Sequence, residues 1–357
     1  MNKRRITLID IFSGAGGFSA GFLRSQKDID VLLAIESDVA AAATFKANHP
    51  NANVYNGKIE SWLEEKRHIE ADIVVGGPPC QGFSTLGKRK ADDPRNSLWE
   101  KYVEFIHITK PKYFVLENVA SFLKSSQYQE FVYVLNAEGL LRDYAFDSMI
   151  LDAANFGVAQ SRKRAIVIGW RKDVKKPNTE RLKDAKISRY KTFRESTAGI
   201  QVQVDRRELP SGRFWKGNKK IPGPFKSEEL HLTRNLTELT KRRISYIGPG
   251  GNRFSIPEEY LPKCWKSHNS GSSDVMGRLF YDRPSVTIRT EFFKPEKGRY
   301  LHPVADRPIT HHEAARLQGF SDSYLWCGSK TAIAKQIGNA VPVDLASAIA
   351  DTILEQF

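Results

Sequence analysis

The sequence predicts an α/β protein, with a doubly wound, mostly parallel sheet followed by a smaller, irregular and basic domain. Two observations predict it. Over residues 1–170, apolar runs alternate with segments of helical spacing. After Trp170 this alternation stops, and the chain becomes basic and rich in Gly and Pro. Repeated strand–helix units form parallel sheets, which bind ligands at the carboxyl ends of their strands.

Five apolar runs predict buried strands, at 6–12, 31–36, 71–77, 112–119 and 164–170. Helical spacing predicts helices at 19–25, 39–47, 98–109 and 127–136. A capping box, from Thr310 to Glu313, predicts another helix start. The last helix, 344–356, is expected to pack back on the first domain. We therefore expect a catalytic domain at 1–170, a second domain at 171–305, and a return to the first at 306–357.

Composition excludes several classes of protein. No stretch approaches the ~18 apolar residues of a membrane span, and the N-terminus resembles a first strand rather than a signal peptide. The three cysteines, Cys80, Cys264 and Cys327, are far apart and form no CxxC pair. We therefore expect neither a disulfide framework nor a structural zinc site. The cysteine pattern indicates a protein of a reducing cytoplasm.

The positive charge is concentrated in one segment. The net charge is +14, and residues 171–305 contain 30 Lys and Arg but only 15 Asp and Glu. Such a surface would attract a polyanion and bind it less tightly as salt rises. A solvated basic surface that aids solubility is the alternative, and charge alone does not choose between them.

The segment DIFSGAGGFSAGF, residues 10–22, predicts a strand, a glycine-rich turn and a helix. Gly14, Gly16 and Gly17 would let a ligand approach the backbone at the start of the helix. Glu36, which ends the second strand, suits the two hydroxyls of a ribose. Since the turn has no basic residue, S-adenosylmethionine suits it better than a pyrophosphate cofactor. A tight turn that only packs helix on strand is the alternative.

The segment GGPPCQGFS places Cys80 directly after the predicted strand 71–77. Glycines and prolines restrict the backbone there, so the thiol is held at the sheet edge. Lys88, Arg89 and Lys90 follow and would favour a thiolate. A positioned nucleophile is therefore favoured over an inert buried cysteine.

Three further motifs lie at predicted strand ends or before helices. Glu117 is either solvated or directed into the same crevice as Cys80. Arg162 and Arg164 would project to one face of an extended run and could bind an anion together, or be ordinary solvated strand-end residues. KQIGNAVPV, residues 335–343, predicts a loop before the last helix.

Seven motifs in this order resemble the bacterial-type cytosine-5 DNA methyltransferases, which are S-adenosylmethionine-dependent enzymes of restriction–modification systems. They are DIFSGAGG, Glu36, GGPPCQGFS, ENV, QSRKR, RPITHHEAARLQGF and QIGNAV. The matches cover 6–170 and 307–343, and the basic segment falls where this family has its target-recognition domain. The resemblance implies a Rossmann-like class I methyltransferase fold.

The resemblance also implies roles for individual residues. The catalytic group would be Cys80 as nucleophile, Glu117 as contact to ring nitrogen 3 and the amine, and Arg162 and Arg164 beside the base. Gln81 and Ser84 would lie on a loop that closes over DNA. The cofactor-binding residues would be Phe12, Gly14, Gly16, Gly17, Glu36, Pro79, Leu98, Asn339 and Val341.

The basic segment offers candidates for reading the DNA sequence. Arg278, Arg283 and Arg289 could make bidentate contacts to guanine, or bind phosphate or solvent. A predicted strand at 284–290, with Thr287, is the proposed recognition element. The expected partner is duplex DNA, bound by a monomer at the bacterial nucleoid and paired functionally with a restriction endonuclease. No membrane or metal is expected.

Two alternatives and two departures from the family accompany this interpretation. A tRNA cytosine-5 methyltransferase shares the motifs, but Gly82-Phe83-Ser84 after Cys80 favours the DNA enzymes. A DNA-binding relative without catalysis is disfavoured by the intact catalytic set. Lys58 replaces the family's aspartate near the adenine, and Ser37 replaces a bulky apolar residue. Weak cofactor binding is therefore expected.

Overall fold

The computed structural model describes residues 5–65, 68–79, 98–136, 138–215, 220–266 and 274–357. The chain divides into two compact units. The first unit comprises residues 1–156, 162–188 and 341–357. The second unit comprises residues 157–161 and 189–340.

The strands, numbered along the chain, are β1 (Ile6–Ile11), β2 (Ile29–Glu36), β3 (Asn53–Asn56), β4 (Ile73–Gly76), β5 (Tyr113–Val119), β6 (Tyr144–Asp152), β7 (Lys163–Arg171), β8 (Phe214–Trp215), β9 (Ile221–Pro222), β10 (Phe225–Lys226) and β11 (Leu325–Trp326). The α-helices are α1 (Gly17–Phe22), α2 (Val39–Asn48), α3 (Ile59–Glu64), α4 (Leu98–Thr109), α5 (Ser126–Val134), α6 (Glu180–Lys183), α7 (Phe193–Ser196), α8 (Glu238–Ser245), α9 (Lys263–Lys266), α10 (His311–Leu317), α11 (Lys330–Asn339) and α12 (Val343–Leu354).

The first unit is built on a seven-stranded sheet in the order β3-β2-β1-β4-β5-β7-β6. Strands β3, β2, β1, β4 and β5 are parallel, whereas β7 is antiparallel to both β5 and β6. The predicted mostly parallel α/β fold is confirmed, and it matches the class I methyltransferase fold. All five predicted strands are present.

The sequence interpretation missed two strands and two α-helices of this unit. Strand β3 has four residues at the sheet edge, none of them fully buried. Strand β6 mixes polar and apolar residues and is only partly buried, so it lacks a clear apolar run. The short connection from β6 to β7 explains their antiparallel pairing, because a parallel connection needs a crossover of about a dozen residues. The missed helices are α3 and α6.

Helices cover the sheet because their apolar faces are buried against it. Helix α4 contributes Trp99, Tyr102, Val103, Phe105 and Ile106 to a core that also includes residues of β1, β2, β4 and β5. The predicted last helix is present as α12 and contacts α1. A Cβ on Gly17 would overlap the Val341 carbonyl oxygen, so glycine permits this close approach.

The second unit consists of short helices, two-stranded pairs and irregular segments. A small core of Ile244, Ile247, Ile256, Met276 and Leu301 is buried within it. The predicted capping box is confirmed: Thr310 accepts a hydrogen bond from the Glu313 amide (3.1 Å), and the Glu313 carboxylate accepts one from the Thr310 amide (2.7 Å).

The unit boundaries differ from the expected domain boundaries. Residues 306–340 lie in the second unit, where α10 contacts α7 and the 3-10 helix Ser227–Leu230. Residues 171–188 lie in the first unit, where α6 contacts β6 and α12. The functional division into catalytic and target-recognition domains stays a prediction.

Two predicted elements of the second unit are wrong. Residues 284–290 form no strand; only an isolated bridge joins Gln160 to Ser285, and the Ile288 amide donates to the Gln160 side chain instead of to a neighbouring strand (2.7 Å). Residues 335–339 are not a loop but the end of α11. Position 338 of that helix is occupied by glycine because a Cβ there would collide with the backbone of Arg289 and Thr290.

Within the described ranges, no helix is by itself long and apolar enough to cross a membrane, although α11 and α12 would meet that criterion if taken together. The same ranges contain no group of three or more His, Cys, Asp or Glu residues that could hold a metal ion.

Candidate active site

Several predicted site residues lie at one edge of the sheet, which we call the carboxyl edge: the carboxyl ends of β1, β2, β4 and β5 and the first residues of β7. Because β7 is antiparallel, it begins where the parallel strands end. Arg164 pairs with Val119, the last residue of β5, and with Leu151 near the end of β6. Sheet topology thus brings the QSRKR and ENV motifs together.

Glu117 and Arg164 form an ion pair at this edge. The Arg164 Nε atom lies 2.7 Å from Glu117 Oε1, and the side chains are only 13% and 12% exposed. Glu117 is opposite Ile166, so Arg164 lies diagonally from it on the same face of the sheet. The Arg164 Nη1 group also donates to the Lys163 carbonyl (2.8 Å). The carboxylate is therefore neither solvated nor free to rotate.

The turn after β4 is held against β5. The buried Asn118 side chain donates a hydrogen bond to the Pro78 carbonyl (3.1 Å). A Cβ on Gly77 would lie 3.0 Å from Glu117 Oε2, so this glycine keeps the turn close to the carboxylate. Three predicted residues that follow this turn, Cys80, Gln81 and Ser84, lie outside the described residues. Pro79, the last one described, is partly buried.

Arg162 is buried one residue before β7. Its backbone amide donates to Asp152 Oδ1 (2.9 Å), and its carbonyl accepts from the Ala153 amide (3.1 Å). The end of β6 therefore fixes the Arg162 backbone next to the carboxyl edge.

The glycine-rich turn has the backbone that its sequence predicts. Gly14 and Gly16 adopt left-handed conformations, with φ of 53° and 88°. Phe12 also has a positive φ, 56°, which is uncommon for a residue with a bulky side chain. Glu36 orients this turn, because its carboxylate accepts hydrogen bonds from the Gly14 amide (2.8 Å) and the Asp38 amide (2.7 Å).

The surroundings of this turn fit a small polar ligand. A Cβ on Gly14 would meet no atom within 4 Å, so open space borders the backbone. The Ser13 hydroxyl is buried and has no hydrogen-bond partner in the described part of the chain. The open backbone at Gly14 and the oriented Glu36 carboxylate could border a small polar ligand.

A buried carboxyl group lies directly beneath this turn. Asp10, only 1% exposed, accepts hydrogen bonds from the Ser19 hydroxyl (2.7 Å) and the Ser19 amide (3.3 Å). Burial raises the pKa of Asp10 to about 7, and the Ser19 hydrogen bonds oppose part of this increase. This contact ties α1 to β1 and was not predicted. The sequence could have indicated this contact, because Asp10 and Ser19 lie on either side of the glycine-rich turn.

Other predicted cofactor residues lie in different places. Val341 is buried in the first unit beside Gly17, and Leu98 begins α4. Asn339 is the exposed last residue of α11 in the second unit.

Lys58 is exposed at the start of α3. The Ser37 carbonyl accepts a hydrogen bond from the Asn56 side chain (3.4 Å), which also donates to the Glu36 carbonyl.

Arg278 does not have the surroundings of a residue that reads DNA. It is only 4% exposed, and its guanidinium is committed to atoms of the second unit. The donors reach four carbonyl oxygens and one carboxylate, those of Ile247 (2.6 Å), His302 (2.8 Å), Ala305 (2.8 Å), Ile244 (3.2 Å) and Asp306 (2.6 Å). The irregular backbone consumes these donors, so the prediction for Arg278 is corrected to a structural role.

The remaining predicted DNA contacts are partly accessible. Arg283 is exposed and stacks 4.5 Å from the Phe280 ring. Arg289 donates to the Tyr300 hydroxyl (2.8 Å) and the Lys297 carbonyl (3.1 Å). Thr287 donates to the Ser161 carbonyl (2.9 Å). Their roles toward DNA stay predictions.

Comparison with known proteins identifies the family. The model of the C-5 cytosine-specific DNA methylases matches residues 6–355. Type II methyltransferase M1.HphI of Haemophilus parahaemolyticus is 33% identical over 98% of this chain and 87% of its own length. Type II methyltransferase M.DdeI of Desulfomicrobium norvegicum is 31% identical over 98% of this chain and 88% of its own length.

Solved structures share the fold at lower identity. A DNA modification methyltransferase encoded within an Escherichia coli prophage has a TM-score of 0.73, with 24% identity over 98% of this chain and 99% of that one. A DNMT2 mutant of Spodoptera frugiperda has a TM-score of 0.59 and 16% sequence identity. The match covers 98% of this chain and 99% of that one. With the sheet topology and the motif order, the family match shows that this chain belongs to the C-5 cytosine-specific DNA methylases and is a DNA cytosine-5-methyltransferase of the restriction–modification type.

Proposed function

We propose that this enzyme transfers the methyl group of S-adenosylmethionine to carbon 5 of a cytosine flipped out of a specific duplex DNA site. Cys80 would form a transient covalent bond to carbon 6 of that base. The observation that supports this most directly is the Glu117–Arg164 pair at the carboxyl edge, beside the turn that leads to Cys80.

The chemistry requires a nucleophile because carbon 5 of cytosine reacts poorly with methyl donors. Addition of the Cys80 thiolate to carbon 6 breaks the aromaticity of the ring and gives carbon 5 enamine character. After carbon 5 has gained the methyl group, it loses its proton to a base, and the electron pair expels the Cys80 thiolate. The ring is thereby restored, and 5-methylcytosine is released.

Glu117 and Arg164 would control charge during the addition. Glu117 would contact ring nitrogen 3 and the exocyclic amine, where negative charge develops. Arg164 would contact the carbonyl oxygen of the base and holds Glu117 in place. Arg162 would lie beside the reacting ring. Because a thiol cannot reach carbon 6 in stacked DNA, the base must leave the helix.

The cofactor would be held by the turn after β1 and by the end of β2. When bound, S-adenosylmethionine supplies an electrophilic methyl group on its sulfonium. Phe12 would pack on the adenine, Glu36 would accept the ribose hydroxyls, and Gly14, Gly16 and Gly17 would let the ligand approach the backbone. Pro79, Leu98 and Val341 of the first unit would complete the pocket, and Asn339 stays a further predicted cofactor residue. Since Lys58 and Ser37 replace the family's usual residues, we expect cofactor affinity weaker than submicromolar, which titration calorimetry would measure.

Trapping with a fluorinated base tests the mechanism. A duplex with 5-fluorocytosine at the target position should form a stable cross-link with the parent protein and cofactor, because fluorine cannot leave as a proton does. Peptide mapping should locate the bond at Cys80. The Cys80→Ser variant should form no cross-link and methylate about 10³-fold more slowly, or slower still. A folded, cofactor-bound parent protein that forms no adduct would contradict the mechanism.

The biological partners follow from the same proposal. The substrate would be duplex DNA on the bacterial nucleoid, the enzyme would act as a monomer, and a restriction endonuclease would recognise the same site. Bisulfite sequencing of plasmid DNA exposed to the protein would identify the target sequence. Labelled cofactor with tRNA as substrate should give no incorporation above background.

A further inference from the structure

The second unit contains a large open groove along α8, which we call the α8 groove. It is formed by segments 203–207, 233–245 and 304–307 and has a volume of about 1360 Å³. Arg207, Arg234, Lys241 and Arg242 line it. Thr233, Asn235 and Ser245 add hydroxyl and amide groups to the same walls.

Three arginines that line the groove lack a carboxylate partner among the described residues, in contrast to several other arginines of this unit. In the described part of the chain, no carboxylate lies within ion-pair distance of Arg207, Arg234 or Arg242, and all three are exposed. Arg242 instead stacks 5.3 Å from the Tyr260 ring. By contrast, Lys241 is paired with Glu238 at 2.7 Å.

Other cations of this unit are neutralised by carboxylates. Arg194 pairs with Asp282 (2.8 Å), Arg299 with Asp274 (3.3 Å) and Arg307 with Glu313 (2.7 Å). Two carboxylates, Glu238 and Asp306, also line the groove, but they pair with Lys241 and Arg278. The three groove arginines therefore carry positive charge that no carboxylate of the described residues neutralises. Unpaired guanidiniums beside hydroxyl and amide donors are the groups that bind phosphate oxygens.

The groove also rests on rigid supports. Thr237 caps the start of α8, because its side chain accepts a hydrogen bond from the Thr240 amide (3.2 Å). Near the other end of α8, Ile244 is buried. Arg278 donates to the Ile244 carbonyl at the end of α8 and to the Ala305 carbonyl in the opposite wall. Both walls are thereby joined through one buried side chain.

We propose that the α8 groove binds the sugar–phosphate backbone of the substrate duplex, with Arg207, Arg234 and Arg242 as sequence-independent phosphate contacts. This inference rests on the proposed function and adds the residues that provide affinity. The sequence predicts that the basic segment 171–305 binds DNA but singles out none of these three arginines; the candidate DNA contacts are Gln81, Ser84, Arg278, Arg283, Thr287 and Arg289. Phosphate contacts position a duplex without reading its bases.

The test measures duplex binding as a function of salt. The triple variant R207Q/R234Q/R242Q should bind the target duplex and an unrelated duplex more weakly by the same factor, about 10-fold to 100-fold. The slope of log K against log salt should become shallower by about 0.9 for each phosphate that the variant no longer neutralises. The variant R234K, which keeps the charge, should retain the parent slope.

The matched control removes three arginines of the first unit: R5Q/R142Q/R181Q. All three are exposed, and the charge change is identical. This control should bind both duplexes with nearly the parent slope. Circular dichroism and thermal unfolding would verify that each variant is folded.

Three results would overturn the inference: an unchanged slope in the triple variant, an equal change in the control, or weaker binding confined to the target duplex, which would indicate base reading. Failure of the proposed function would appear differently. The parent protein would then bind DNA but neither methylate it nor form the Cys80 adduct, whatever the groove variants do.

Discussion

Arg164 in the first unit and Arg278 in the second are two largely buried arginines with different environments. Arg164 lies on a regular strand, where neighbouring strands satisfy the backbone, so its guanidinium can hold Glu117 at the carboxyl edge. Arg278 lies in irregular chain, and its donors reach four backbone carbonyl groups and one carboxylate of the same unit.

The difference shows that the net positive charge of an irregular domain overstates the number of arginines that can bind a ligand, because some of them are bound to the domain's own backbone. Arg299 donates to three carbonyls, those of Gly250, Gly251 and Arg278, and Arg307 donates to those of Val202 and Pro308. A buried carbonyl without a hydrogen-bond partner lowers stability. In irregular chain, long arginine side chains therefore donate the hydrogen bonds that strand amides donate in a sheet. In the first unit the strands pair the backbone, so Arg164 needs to donate to only one carbonyl and its Nε atom holds Glu117.

The largest effect is expected at the carboxyl edge. Glu117→Gln should lower kcat by about 10²–10⁴-fold, because an amide cannot supply a proton to ring nitrogen 3 as negative charge develops there. The amide oxygen can still accept from Arg164, so the thermal midpoint should change little. Methyl incorporation under single-turnover conditions measures the loss. Glu130→Gln, an exposed change on α5, is the control, and an equal loss there would argue against a specific role for Glu117.

The second-largest effect is expected where Arg278 supports the irregular chain. Arg278→Met keeps the apolar stem but leaves four carbonyls without this donor, so the second unit should lose about 3 kcal/mol of stability. Thermal unfolding and limited proteolysis would measure it. Arg283→Gln should cost under about 0.5 kcal/mol because Arg283 is exposed. Equal midpoints for both variants would remove the contrast between the two units.

A smaller effect is expected from Asp10, which links β1 to α1. Its pKa is about 7 in the folded protein against 3.8 in the ordinary state, so the folded state binds more protons between these values. Its contribution to stability is therefore fully present below about pH 4 and is lost as pH rises through the folded-state pKa of about 7. Asp10→Asn should remove this decline in urea unfolding. Asp351→Asn, an exposed change on α12, should leave the parent's pH profile intact. A parent profile retained in Asp10→Asn would show that Asp10 is not its source.

The smallest effect is expected at the capping box of α10, the one regular feature of the second unit that the sequence predicted. Thr310→Ala removes the side-chain acceptor for the Glu313 amide and should cost about 1 kcal/mol. Thr331→Ala on the exposed side of α11 should be neutral. A neutral Thr310→Ala would mean that tertiary packing alone holds the start of α10.

Prediction from sequence worked where a local pattern decides the structure. Buried strands are apolar runs, and the turn after β1 needs glycines with positive φ, so both were visible. Strand β6 was missed because its faces are only partly buried, and the pairing of Asn118 with Pro78 depends on strand order. The segment 335–339 was predicted as a loop because Gly338 disfavours a helix, but close backbone packing requires it there.

The contact between α1 and α12 has a consequence for how the protein is made. Gly17 meets Val341 only after more than 300 further residues have been synthesised, so a nascent chain on the ribosome carries the glycine motif without its finished pocket. We expect ribosome-arrested chains that stop before residue 341 to be cleaved readily by protease near α1. Arrested chains in which an added C-terminal linker carries residue 357 out of the ribosomal tunnel should resist that cleavage, and equal cleavage of both would show that the region around α1 folds without α12.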